Sequence, residues 1–108
     1  MLDWKDVTET FTEPSRYWKG RYLELCEVAE GEIELSLFSC PDDNWEVYVN
    51  YGKMYGVSYV DSDNAVAHRN AMKAEVEAEY ESNGLNPSDT FIDAFVKRYQ
   101  LDIMSAIF

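Results

Sequence analysis

Between Tyr22 and Val60 apolar side chains recur at every second position, and from Asp61 onward they recur at every third or fourth. A period of two sets a strand with one buried face, and a period near 3.6 sets an amphipathic helix. A chain that switches once from the first period to the second needs its helices to cover one side of its sheet. The expected fold is α+β: a four-stranded antiparallel meander with two C-terminal helices packed on one face. A short helix precedes it, because Leu2, Trp4, Val7 and Phe11 are helically spaced, Asp3 is a cap, and Pro14 is a stop.

The first two strands are expected at Tyr22 to Val28 and Glu32 to Phe38, around the loop Ala29-Glu30-Gly31. A type I turn followed by a left-handed glycine fits three residues, with Gly31 supplying the positive φ. That loop pairs Leu25 with Leu35 and Leu23 with Leu37. Leu23, Leu25, Ile33, Leu35 and Leu37 then share one face. A two-residue loop would set Glu27 opposite Glu34, which is unfavourable. Pro41-Asp42-Asp43-Asn44 is the next turn. Trp45, Val47, Val49 and Tyr51 then alternate with Glu46, Tyr48 and Asn50. A turn near Gly52-Lys53 leads to a fourth strand whose inward residues are expected to be Tyr55, Val57 and Tyr59.

The first long helix carries Ala65, His68, Met72, Val76 and Tyr80 on one stripe, behind the capping run Asp61-Ser62-Asp63. Asn83-Gly84 ends it, with Leu85 placed for the closing apolar contact. Pro87-Ser88-Asp89 opens the second helix, whose stripe is Ile92, Phe95, Tyr99 and Ile103, with Ile107 nearby.

The whole of residues 1–108 is expected to be one domain, since 46% hydrophobic residues can build a core and the length matches a single one. The net charge is -12, from 21 acidic and 9 basic residues. That sign repels phosphate, so direct nucleic-acid binding is not expected. Anionic membranes are disfavoured likewise. A basic protein partner is favoured, because opposite charge steers encounter. The N-terminus lacks a charged region followed by an apolar one, and no apolar run reaches spanning length, so the expected location is cytoplasmic.

Recognisable chemistry is scarce. Cys26 and Cys40 are expected about 15 Å apart at ~3.3 Å per residue, beyond disulfide reach, and are read as free thiols. His68 is the single histidine and cannot complete a zinc set with them. It is expected at the edge of the core. Asp61-Ser62-Asp63-Asn64 starts like a calcium loop, but Val66 stands where a glycine is needed and Met72 where a glutamate is needed. No phosphate loop, dinucleotide fingerprint, nucleophile elbow or zincin signature is present, and no cofactor is expected. Arg16-Tyr17-Trp18-Lys19-Gly20-Arg21 is a basic and aromatic island, read as a strand entry whose cations pair with nearby acids.

The uncovered face of the sheet is the expected functional surface. It carries Glu24, Cys26, Glu32, Glu34, Ser36, Phe38, Glu46, Tyr48, Asn50 and Ser58, and Glu75, Glu77, Glu79 and Glu81 on the first helix extend its charge. The expected protein-binding residues are Glu24, Glu32, Glu34, Phe38, Glu46 and Tyr48, with Phe38 and Tyr48 as anchors. The expected function is that of a small acidic binding protein for a basic partner, including a groove that otherwise holds nucleic acid. A carboxylate or metal enzyme using Asp42, Asp43 or Glu46, and a self-assembling structural domain, are the alternatives.

Overall fold

The computed structural model describes residues 2–10, 17–18, 20–41 and 43–104. Among them the chain forms β1 (Lys5–Asp6), a 3-10 turn (Thr8–Thr10), β2 (Tyr17–Trp18), β3 (Arg21–Ala29), β4 (Ile33–Ser39), β5 (Asn44–Tyr51) and β6 (Met54–Asp61). The helices α1 (Ala65–Asn83) and α2 (Asp89–Tyr99) follow, then β7 (Asp102–Ile103). The expected α+β class and the meander β3-β4-β5-β6 are present, and the sheet is larger than four strands. β1 and β2 both pair with the outer edge of β3, and β7 pairs with the outer edge of β6, all antiparallel.

The expected N-terminal helix is replaced by β1 and the 3-10 turn; Phe11 and Pro14 lie outside the described residues. Hydrogen bonds explain the difference. The Val7 amide donates to the Cys26 carbonyl at 2.8 Å, and the Cys26 amide donates to Thr8 Oγ1 at 2.9 Å. The edge of β3 therefore supplies partners that a lone short helix lacks. Leu2 still enters the core.

The β3–β4 register also differs from expectation. Ala29 pairs with Ile33 and Leu25 with Leu37, so the three-residue loop is Glu30-Gly31-Glu32, one residue later than expected. Glu30 and Gly31 both have positive φ, 55° and 71°, the signature of a type I′ turn. A bulge between Leu23 and Leu25 then pairs Leu23 with Phe38. The extra residue, Glu24, moves Leu23 off the helix-covered face onto the opposite one.

In β6 the expected faces are exchanged. The two-residue turn Gly52-Lys53 pairs Tyr51 with Met54, so Met54, Gly56, Ser58 and Val60 share Tyr51's face. Tyr55, Val57 and Tyr59 face the other way. Gly56 is required because a Cβ there would lie 2.7 Å from the Asp102 carbonyl and 2.9 Å from Leu101 Cγ. Buried Ser58 donates to the Tyr99 carbonyl at 2.7 Å.

α1 crosses β4, β5 and β6 on this face. Ile33, Leu35, Val47, Val49, Tyr51, Met72, Val76 and Phe95 lose all solvent contact there. At the start of α1, Asp61 Oδ1 accepts from the Asn64 amide at 3.1 Å. The helix stops at Gly84, whose φ is 61° and whose amide donates to the Tyr80 carbonyl at 2.8 Å. Ser88 caps α2 by accepting from the Phe91 amide at 3.1 Å. α2 ends sooner than its expected stripe, because Gln100 turns left-handed at φ 50°. Ile103 consequently lies exposed in β7, and Ile107 lies outside the described residues.

One buried residue of α1 departs from the apolar stripe. Arg69 is 2% exposed and its Nη2 lies 2.5 Å from Glu27 Oε1, while Lys73 Nζ reaches the same oxygen at 3.0 Å. Glu27 sits on the helix-covered face, opposite Leu35. Burial alone would raise its pKa, but the hydrogen bonds from Arg69 and Lys73 outweigh that and leave it lowered.

Candidate functional site on the open sheet face

The face away from the helices is built of rows that run across the meander. Leu23, Phe38, Glu46 and Tyr59 form one row; Cys26, Ser36, Tyr48 and Val57 form the next; Val28, Glu34, Asn50 and Tyr55 form the third. The rows are hydrophobic, polar and aromatic in mixture, because among the described residues no second layer demands apolar residues on this side. Leu23, Cys26, Ser36 and Val57 are nonetheless buried. The larger side chains beside them leave a cavity of about 220 Å³ bounded by Leu23, Cys26, Glu34, Phe38, Tyr48 and Tyr55, with Ser36 and Asn50 also on its lining.

Three of the six expected binding residues, Glu34, Phe38 and Tyr48, meet at this cavity. Phe38 and Tyr48 pack edge to face with centroids 5.4 Å apart, which fixes one wall. Glu34 Oε2 accepts from Ser36 Oγ at 2.8 Å, and Ser36 Oγ lies 3.4 Å from Cys26 Sγ. Among the described residues Glu34 is the only charged side chain on the lining and forms no ion pair. Lys5 belongs to the same row beyond Val28 and is exposed.

The other three stand apart. Glu46 is buried, lies 2.6 Å from Arg21 Nε and accepts from the Tyr48 hydroxyl at 3.2 Å, so it steadies the wall from behind. Glu24 is the exposed bulge residue and accepts from Ser39 Oγ at 2.7 Å. Glu32 is exposed in the hairpin loop. The acids of α1 are on the opposite layer: Glu75 receives Tyr99 and Arg98, Glu77 receives Trp4 Nε1 at 2.9 Å, and Glu79 receives the Ser88 amide at 2.7 Å. They do not extend the open face.

Leu23 and Tyr55 line the cavity although alternation alone assigns both to the core. The Gly52-Lys53 turn was the available signal for Tyr55: two residues between Tyr51 and Met54 fix the parity of the whole following strand. Nothing in the sequence signals the bulge at Glu24.

Acid–base chemistry has little to work with here. Burial pushes the Cys26 thiol up to about 11, so it stays protonated at neutral pH. Burial and the neighbouring Glu46 push the Tyr48 phenol to about 12. No cluster of three or more His, Cys, Asp or Glu side chains able to hold a metal ion occurs among the described residues. Asp42, named above for metal chemistry, lies outside the described residues. No helix is long and apolar enough to cross a membrane among the described residues.

His68 has a hydroxyl neighbour that its sequence position does not reveal: Ser58 Oγ lies 2.7 Å from Nε2. Ser58 gives its proton to the Tyr99 carbonyl, so it accepts from His68, and Nε2 carries the hydrogen. A histidine that donates to a serine does not activate it. Ser58 is also fully buried. His68 packs against the Tyr99 ring at 5.2 Å, and burial lowers its pKa.

Compared with protein-family models, curated proteins and solved structures, the chain matches none of them.

Proposed function

We propose that this chain is a non-enzymatic binding protein whose open sheet face receives a basic protein. The observation that carries the reading is the cavity whose lining combines Phe38, Tyr48 and Tyr55 with Glu34, a carboxylate with no cation beside it among the described residues. A half-covered carboxylate among aromatic rings is better satisfied by a partner's cation than by phosphate or a neutral surface. The net charge of -12 acts in the same direction at longer range, by steering a positive partner inward. Glu32 and Glu24 lie outside the cavity and contribute to that field. A groove evolved for nucleic acid is one such positive surface.

A fluorescent library of twelve-residue peptides with several Lys and Arg positions, set against one with Gln in their place, tests the proposal. Peptides selected from the basic library are expected to bind, and their affinity is expected to fall as salt rises. E24Q/E32Q/E34Q is expected to slow association more than dissociation. Equal capture of both libraries, or affinity indifferent to salt, would refute a charge-directed partner.

A further inference from the structure

We infer that the open-face cavity is the acceptor for a single lysine side chain of the partner; this rests on the basic-partner reading above and sharpens it. Size comes first. At roughly 30 Å³ per water, 220 Å³ holds about seven waters, below the ~300 Å³ where pockets for whole small molecules begin. The cavity is small for a nucleotide or organic cofactor and suits one long side chain. The chemistry of the lining is graded to match such a chain. Leu23, Phe38 and Tyr48 offer apolar and aromatic surface to a methylene stem. Glu34 offers the counter-charge, and Asn50, its cross-strand partner, offers a further acceptor for an ammonium's hydrogens.

Lysine is favoured over arginine by what Glu34 already does. Its Oε2 already accepts from Ser36, so one of the two oxygens that a two-pronged guanidinium would use is partly engaged. An ammonium needs only one point of contact. A divalent metal ion is disfavoured because Glu34 is the sole carboxylate on the lining among the described residues, and hard cations take six or more oxygens.

The test titrates Nα-acetyl-lysine methylamide into the isotope-labelled chain while backbone amides are followed by NMR. Saturable shifts are expected at Glu34, Phe38, Tyr48 and Asn50. The arginine analogue is expected to bind more weakly, and the norleucine analogue, which keeps the stem and lacks the charge, not to bind. E34Q retains an acceptor for Ser36 and so preserves the fold; it is expected to weaken lysine binding about tenfold, the loss of ~1.4 kcal/mol, while D93N, at an exposed position of α2 in the helical layer, leaves it unchanged. Norleucine matching lysine, arginine exceeding it, or E34Q binding normally would overturn the assignment. Salt-dependent binding of the basic peptides without any response to the lysine amide would remove the lysine site and leave the basic-partner reading standing. A lysine response with salt-independent peptide binding would do the reverse.

Discussion

Arg69 surrenders its hydration to reach Glu27, and its Nε has no hydrogen-bond partner. Such a pair is weak support while intact and a liability once halved, because desolvation is already complete. Glu27→Gln leaves Arg69 buried without a counter-charge and is expected to cost about 3 kcal/mol in urea unfolding. Replacing both residues, as in E27L/R69M, is expected to cost less than the sum of the single changes. His68 gives a second prediction. Its pKa is lowered in the fold, so the unfolded chain binds the proton first as pH falls. Its stabilising contribution is complete above the unfolded value, near 6.5, and is lost as pH drops below that. Glu27 and Asp6 are lowered too, so theirs is complete above about 4.5 and 3.8 and fades below. H68Q is expected to flatten the upper part of the stability–pH curve and leave the lower part intact, since the chain has one histidine.

β7 is held to the sheet by close approach. Gly56→Ala would drive a methyl group into the Asp102 carbonyl and Leu101, and is expected to lose about 1–3 kcal/mol. Hydrogen exchange would localise the damage: the Met104 amide, which donates to the Tyr55 carbonyl at 2.8 Å, should exchange faster, and the Val49 region should not. The four long strands and both helices were legible in the sequence because each carries a repeated apolar period of its own. β1, β2 and β7 were not, being two residues long and stabilised by a distant edge and not by their own pattern. The faces of β6 run against the sequence pattern because Tyr55, Val57 and Tyr59 are the more apolar set. Gly56 and Ser58 look like surface residues until Leu101 and the Tyr99 carbonyl are seen against them. The cavity was half legible. Glu34, Phe38 and Tyr48 follow from simple alternation, whereas Leu23 depends on a bulge that only the folded ladder reveals.

Across the whole molecule, 21 acids against 9 bases repel one another in the compact state. Buried pairs such as Arg69–Glu27 are shielded from salt, and the exposed excess is not. The melting temperature is therefore expected to rise between low salt and ~0.15 M, where the screening length shrinks to ~8 Å. A fall would mean that attractive surface pairs dominate. The same molecule carries short strands along both margins of its sheet, at Lys5–Asp6 and Tyr17–Trp18 on one side and Asp102–Ile103 on the other. An extended peptide seeking a backbone ladder finds both rims already interrupted, so docking by strand addition is obstructed. For the partner proposed above, recognition is then left to side chains, which read chemical identity more selectively than peptide amides do, and among the described residues copies of the chain have no long bare selvedge by which to knit together.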